Sequence, residues 1–217
     1  VLADAGYETA YVGKTHWHRT EPLFDKENNY VGTSEAPGGH YVYPYDTYIP
    51  EGRGRKSNKY WFQHLKDNHF NATAYSNRPE LVGGQKDGEA YHYRRFTTGV
   101  EADVAIEFLR NRKGQRDASK PFSLFLSVNP PHTPYHRLTD CKEEVFNQYY
   151  KDLKTEEVLL RPNVQVGEGT QVKNKERLTF EAKIYFSLIK SVDDEIGRVL
   201  KVLDEEGLTD NTILVFA

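Results

Sequence analysis

Tyr7-Glu8-Thr9-Ala10-Tyr11-Val12-Gly13-Lys14-Thr15-His16-Trp17-His18 is a short run of strand-forming residues that a glycine stops and a basic loop follows. Upstream, residues 1–6 read as the end of a helix, with Gly6 in the left-handed position that closes it. The pattern returns at Pro121-Phe122-Ser123-Leu124-Phe125-Leu126-Ser127-Val128, apolar enough for a buried strand. Asn129-Pro130-Pro131 must end that strand, because proline brings no ladder donor. His132-Thr133-Pro134-Tyr135 follows. Residues 212–216, Thr-Ile-Leu-Val-Phe, read as a third strand.

Helical periodicity fills the spaces between. Val100, Val104 and Phe108 share one face, Arg110, Arg112 and Lys113 suit the negative end of a helix dipole, and Gly114 closes the run. Ile184, Leu188, Val192, Ile196, Val199 and Leu203 form one stripe of a longer helix. Glu206-Gly207-Leu208 reads as its stop, with a following apolar contact. Helices alternating with apolar strands predict an α/β fold with a largely parallel central sheet flanked by helices. The strands ending near 12, 128 and 217 would then open on one edge of the sheet, where ligands bind in such folds.

Residues 19–97 differ in character. Gly, Pro, Asn and Tyr dominate, and loops, short strands and a brief helix near 60–67 are expected. A long, weakly regular stretch within a domain is usually functional. Tyr41, Tyr43, Tyr45 and Tyr48, with Trp61 and Phe62, either pack as a hairpin on their neighbours or stack on sugar rings, and packing is the simpler reading. Asn71-Ala72-Thr73 fits the N-glycosylation triplet, a common chance match.

Composition narrows the classes. The chain has 217 residues, 28 % charged and 13 % aromatic, with a formal net charge of −3, as suits a globular domain and not a basic nucleic-acid binder. No apolar run reaches the roughly 18 residues of a membrane span. The one cysteine, Cys141, excludes an internal disulfide. There is no methionine, the first residues begin in mid-pattern, and the last apolar run is still in progress, so the chain reads as an internal fragment truncated at both ends.

Three basic residues stand just beyond strands. Lys14 is a permanent cation able to hold an anion or polarise an oxygen. His16 titrates in the range that suits a general acid or base. His132, in a proline-stiffened loop, suits a donor to a leaving-group oxygen or bound oxyanion. Taken singly, each equally fits a solvated surface residue. His16 with His18 is a weak zinc pair, lacking a clear third ligand. Asp193-Asp194-Glu195 lies on a helix, where adjacent residues diverge, and reads as a solvated or ion-paired face.

Taken together, these segments become recognisable. Gly6-Tyr7-Glu8-Thr9 with Gly13-Lys14-Thr15-His16 resembles the Gly-Tyr-x-Thr and Gly-Lys-x-His signature of the formylglycine-dependent (type I) sulfatases of the alkaline phosphatase superfamily. Pro121-Phe122 through Asn129-Pro130-Pro131-His132-Thr133-Pro134-Tyr135 resembles that family's strand and histidine loop. Tyr185, Ile189, Val192-Asp193-Asp194, Gly197, Leu203, Gly207-Leu208 and Asn211-Thr212-Ile213-Leu214-Val215-Phe216 resemble the helix and strand that lead to its metal-binding Asp-(Asn/His)-Gly.

The resemblance implies a partial sulfatase catalytic domain over 1–217, with 19–97 as a loop-rich insert and no separate domain. It implies hydrolysis of sulfate esters by a formylglycine nucleophile outside these residues; the aromatic stretch at 19–97 and Arg161-Pro162-Asn163, which resembles bacterial carbohydrate sulfatases, point to sulfated carbohydrates as substrates. Lys14 would contact the sulfate and the nucleophile. His16 would take the proton that lets sulfate leave the covalent intermediate. His132 would bind sulfate and assist the leaving alcohol. Calcium is implied, with ligands outside the fragment and none within it, and so is a periplasmic, secreted or lysosomal location.

The chain departs from the family where Thr15 and Trp17 replace the frequent Trp and Leu. It carries no Cys-x-(Pro/Ala)-x-Arg, since Lys142-Glu143-Glu144-Val145 follows Cys141, so that cysteine is not the nucleophile. The isolated fragment is expected to be inactive. A phosphate or phosphonate ester hydrolase of the same superfamily and a non-catalytic sugar-binding relative stay open. Substrate identity and oligomeric state are not readable.

Overall fold

Tyr60-Trp61-Phe62-Gln63-His64 has no polar face, and all five side chains are buried. A segment buried on both faces belongs inside a sheet. In the computed structural model, which describes residues 1–15, 23–24, 30–32, 48–65, 69–159, 161, 163 and 174–217, it is a central strand and not the expected brief helix. The strands are β1 (Glu8–Lys14), β2 (Leu23–Phe24), β3 (Tyr30–Gly32), β4 (Tyr60–His64), β5 (Thr73–Ser76), β6 (Tyr91–His92) and β7 (Phe122–Ser127). The helices are α1 (Thr97–Arg110), α2 (Glu143–Val145), α3 (Thr155–Val158) and α4 (Lys175–Glu205). β2 and β3 pair antiparallel as a separate ribbon.

The main sheet has the order β6-β5-β4-β1-β7. β1 runs parallel to β4 on one side and to β7 on the other. β5 and β6 extend the β4 side antiparallel. The sheet is therefore mixed, with a parallel centre, and β1 takes the central parallel position because residues 9–13 are all buried.

The chain divides into two compact units, Val1–Asn129 with Ile196–Ala217, and Pro130–Glu195. In the first, Ala10, Val12, Tyr60, Phe62, Val100, Val104, Phe108, Val199 and Leu203 share one core. Tyr11, Ile49 and Trp61 pack on the opposite face of the sheet. Tyr48, Trp61 and Phe62 are thus core residues and not a sugar platform, while Tyr41, Tyr43 and Tyr45 lie outside the described residues.

α1 ends at Arg110, capped by Asn111 in a left-handed conformation with φ of 49°. Gly114, expected to close the helix, lies in the next turn. Arg116 instead covers open carbonyls of the last turn, donating Nε to Phe108 O (3.2 Å) and Nη2 to Leu109 O (3.1 Å). α4 closes as read: Leu208 N donates to Leu203 O at 2.8 Å, and Leu208 packs on the core.

Two other expectations change. Residues 1–6 form a single turn, with Ala5 N donating to Val1 O at 3.0 Å. Residues 212–217 are extended but form no ladder, and Ile213 is 92 % and Phe216 82 % exposed. Strand-forming side chains make a strand only against a partner backbone, and none among the described residues pairs with them.

In the second unit, α2 continues into a π turn, Phe146–Tyr150. α3 is tied to the start of α4 by a hydrogen bond from Thr179 Oγ1 to Thr155 Oγ1 (3.0 Å).

Candidate active site

The end of β1 is built from three strands and one helix. Gly13 has φ of +120°, and a Cβ there would stand 2.1 Å from the Ser127 carbonyl oxygen and 3.1 Å from Glu101 Oε1. Only glycine lets β1 lie so close to β7 in this conformation. Lys14 follows, half-buried, at the last pairing position of the strand. Its carbonyl accepts a hydrogen bond from the Tyr11 hydroxyl. Tyr11 stacks between Trp61 (5.0 Å) and Phe125 (5.4 Å). Burial pushes its hydroxyl up to about 12, so it remains a protonated donor at neutral pH.

Thr15 shows how the chain accommodates the small residue after lysine. It is 2 % exposed, and its Oγ1 accepts from Gln63 Nε2 at 2.7 Å. Gln63 Oε1 in turn accepts from Ile49 N at 3.0 Å. One buried amide thus ties the residue leaving β1 to β4 and to the segment at 49. His16 and His18 lie outside the described residues.

Beside this end of β1 is a feature that the sequence reading did not single out. His64 closes β4 and stands in register with Lys14. Its Nδ1 lies 2.7 Å from Glu101 Oε1, and the two side chains are 2 % and 0 % exposed. Burial raises the Glu101 carboxyl above its ordinary range, opposed by the charge and hydrogen bond of His64. The sequence signal was available: Glu101 falls with Val104, Ala105 and Phe108 on the inward stripe of α1, where a carboxylate needs a partner.

His132 belongs to the second unit and is exposed. Its loop carries cis peptides at Pro130-Pro131 and Thr133-Pro134. Asp140 Oδ2 folds the loop, accepting from the backbone N–H of His136 (2.8 Å) and Arg137 (3.0 Å). His132 Nδ1 lies 2.9 Å from the Thr133 carbonyl oxygen. A carbonyl only accepts, so Nδ1 carries the hydrogen and the neutral ring presents Nε2 as an acceptor. To donate from Nε2, the ring must take up a proton. Lys14 stands in the first unit and His132 in the second, each fixed within its own surroundings.

Cys141 is buried, and that burial pushes its thiol up to about 11, with Ser187 opposing. It is a poor nucleophile by this measure. Asp194 accepts a hydrogen bond from Lys190, and Glu195 lies 3.0 Å from Lys142 Nζ, an ion-paired helix face. Among the described residues no group of three or more His, Cys, Asp or Glu side chains is arranged to hold a metal. The described residues do not by themselves fit a calcium site.

A mixed five-stranded sheet with a parallel centre and flanking helices is the alkaline phosphatase-like fold of the solved sulfatase structures that it resembles. The chain belongs to the sulfatase family: the family profile described as Sulfatase matches residues 1–217. It is 32 % identical over 220 residues to the endo-4-O-sulfatase of Bacteroides thetaiotaomicron, covering 100 % of this chain and 38 % of that protein. It is 28 % identical over 215 residues to the ulvan-active sulfatase of Formosa agariphila, covering 98 % of this chain and 32 % of that protein. A solved structure concerned with glycosaminoglycan metabolism in Bacteroides thetaiotaomicron superposes with a TM-score of 0.72 at 30 % identity, covering 95 % of this chain and 38 % of that one. The chain therefore spans between about a third and two fifths of these relatives. No helix among the described residues is long and apolar enough to cross a membrane.

Proposed function

We propose that the protein to which these residues belong hydrolyses sulfate esters of carbohydrates. The observation that carries the reading is Lys14, held at the C-terminal end of the central parallel strand by the glycine before it and the hydrogen bonds after it. A half-buried lysine whose backbone is fixed in place is preorganised for an anion. In this reading Lys14 grips the sulfate and orients it toward the nucleophile, and His16 accepts the proton that releases sulfate. His132 binds the sulfate and, protonated at Nε2, donates to the departing alcohol oxygen. The names of two relatives, endo-4-O-sulfatase and ulvan-active sulfatase, support a sulfated polysaccharide as substrate. The formylglycine and the calcium of the family belong, on this reading, to parts of the longer protein, as does a periplasmic, secreted or lysosomal location.

The test is sulfate release by the full-length protein from ulvan, other sulfated polysaccharides and 4-nitrocatechol sulfate. Wild type releases sulfate. Lys14→Ala and His132→Ala lose on the order of 10²-fold or more in kcat/KM while keeping the fold. Full activity in Lys14→Ala would remove the reading of the site. Release of phosphate from 4-nitrophenyl phosphate, with no sulfate released from the sulfate esters, would move the protein to phosphate esters, and ligand binding without turnover would make it a non-catalytic relative.

A further inference from the structure

We propose that Glu101 and His64 are positioning residues for Lys14: a buried carboxylate–imidazole pair that locks the Gly13–Lys14 end of β1 to β4 and α1 and sets a fixed negative pole beside the anion site. The inference rests on the reading of Lys14 as the group that grips the substrate anion.

Four observations converge on it. β1 and β4 pair parallel with Lys14 opposite His64, so the two residues occupy one register position at the ends of adjacent strands. Glu101 comes from α1, which packs on the sheet through Val100, Val104 and Phe108, and it meets His64 at 2.7 Å with both side chains buried. The same Glu101 Oε1 stands 3.1 Å from where a Gly13 Cβ would be, so one carboxylate oxygen abuts both strands. His64 Nε2 and Glu101 Oε2 are buried without a hydrogen-bond partner among the described residues, so the 2.7 Å approach of Nδ1 to Oε1 is the contact that pairs the two side chains.

Shape alone does not require this chemistry. An apolar side chain at 101 would extend the α1 stripe without the cost of burying charge, and buried ion pairs are weak contributors to stability. What a carboxylate supplies there, and an apolar side chain cannot, is orientation and potential. A lysine held for an anion is an uncompensated positive charge before that anion arrives. A buried negative pole at the strand end offsets that charge and holds the backbone that carries Lys14. A displacement of about 1 Å in a positioning group can cost on the order of 10²-fold in rate.

Among the described residues, the other ionisable groups that act on Glu101 are few. β4 presents His64. β1 presents Tyr11, whose hydroxyl senses the Glu101 charge, and ends in Lys14. β7 brings the Ser127 backbone, and His69 meets the start of α1 with its carbonyl, accepting from Thr97 N at 2.8 Å. Burial raises the Glu101 carboxyl, so mild acid neutralises it before exposed carboxylates. The wild type then approaches a Glu101→Gln variant, whose amide does not titrate.

The experiment uses the full-length protein and whichever of ulvan, another sulfated polysaccharide or 4-nitrocatechol sulfate the wild type cleaves. Glu101→Gln and His64→Asn are expected to fold, to lower kcat about tenfold, and to leave KM within about twofold. The double variant is expected to be no worse than the poorer single one, because the two act as a unit. The ratio of wild-type to Glu101→Gln kcat narrows as pH falls. Should Glu101→Gln not fold, His64→Asn carries the test by the same rate and KM criteria. The proposal is overturned if folded variants keep wild-type kcat, or if lost activity tracks only lost folded protein with an unchanged pH profile. Lys14→Ala separates the two readings: if it is fully active, the site reading has failed, whereas a dead Lys14→Ala beside a fully active Glu101→Gln sinks only the pair.

Discussion

Gly13 and Arg55 carry more of the first unit than their neighbours do. Gly13 joins a positive φ to a close backbone approach, since the Ser127 carbonyl oxygen would be 2.1 Å from any Cβ. A backbone atom cannot step aside as a side chain can. Gly13→Ala is therefore expected to cost about 1–3 kcal/mol from its conformation alone, more with the clash, and to part β1 from β7. Urea unfolding of the variant checks this, and an unchanged midpoint would show the approach to be looser than described. Arg55 is 2 % exposed, and its Nη2 donates to Asp87 Oδ1 (2.7 Å) and Ile49 O (2.9 Å) while Nη1 meets Asp87 Oδ2 (2.8 Å). The guanidinium also lies 5.2 Å from the Trp61 ring. Lysine keeps the charge but not the planar fork. Arg55→Lys is expected to lower stability by about 2 kcal/mol, read as a reduced melting temperature; a melting temperature equal to wild type would mean that one ammonium replaces the fork.

Among the elements, the start of α4 carries a carboxyl whose titration is tied to its ion pairs. Glu181 Oε1 lies 2.9 Å from Arg177 Nε and 3.0 Å from His136 Nδ1. Partial burial pushes its carboxyl up, but the hydrogen bonds from Arg177 and His136 win, and the net effect is a lowered pKa. A depressed carboxyl stabilises the fold above its unfolded pKa, and the contribution fades as pH falls through the folded value. Amide protection factors at 177–181, corrected for the intrinsic pH dependence of exchange, are thus expected to fall on acidification below the ordinary glutamate range, and Glu181→Gln to blunt that change. Equal acid sensitivity in the variant would place the cause elsewhere. The same elements show what the sequence could reveal. β1, β7, α1 and α4 were legible because each shows a run or a stripe bounded by Gly or Pro. β4 was not, because an aromatic run buried on both faces has no alternation to distinguish strand from helix. Residues 212–216 have the composition of a strand, but a ladder needs a second backbone that local sequence does not contain. Lys14 and His132 were visible as basic residues at or beyond strand ends. The Glu101–His64 pair was not, since it arises only when α1 is laid across β4.

At the scale of the whole 217-residue chain, the question is what its uncovered apolar surface does in water. β7 closes the sheet on one side, so one of its edges has no ladder partner among the described residues. Phe125 on β7 is 60 % exposed, and Leu214, Val215 and Phe216 are 62 %, 79 % and 82 % exposed. An open strand edge and an extended apolar segment in one unit make a template for pairing between copies. The net charge of −3 offers little repulsion against it. The isolated 217-residue chain is therefore expected to self-associate as concentration rises, through the tail and not through the site. Sedimentation velocity across a concentration series measures this directly. Leu214→Lys with Phe216→Lys places two charges in the tail and is expected to return the chain toward monomer without altering its melting temperature, because neither side chain contributes to the core. A wild-type chain that stays monomeric throughout the series would show that these side chains find cover within their own unit. A double variant that still associates would move the contact to the β7 edge itself.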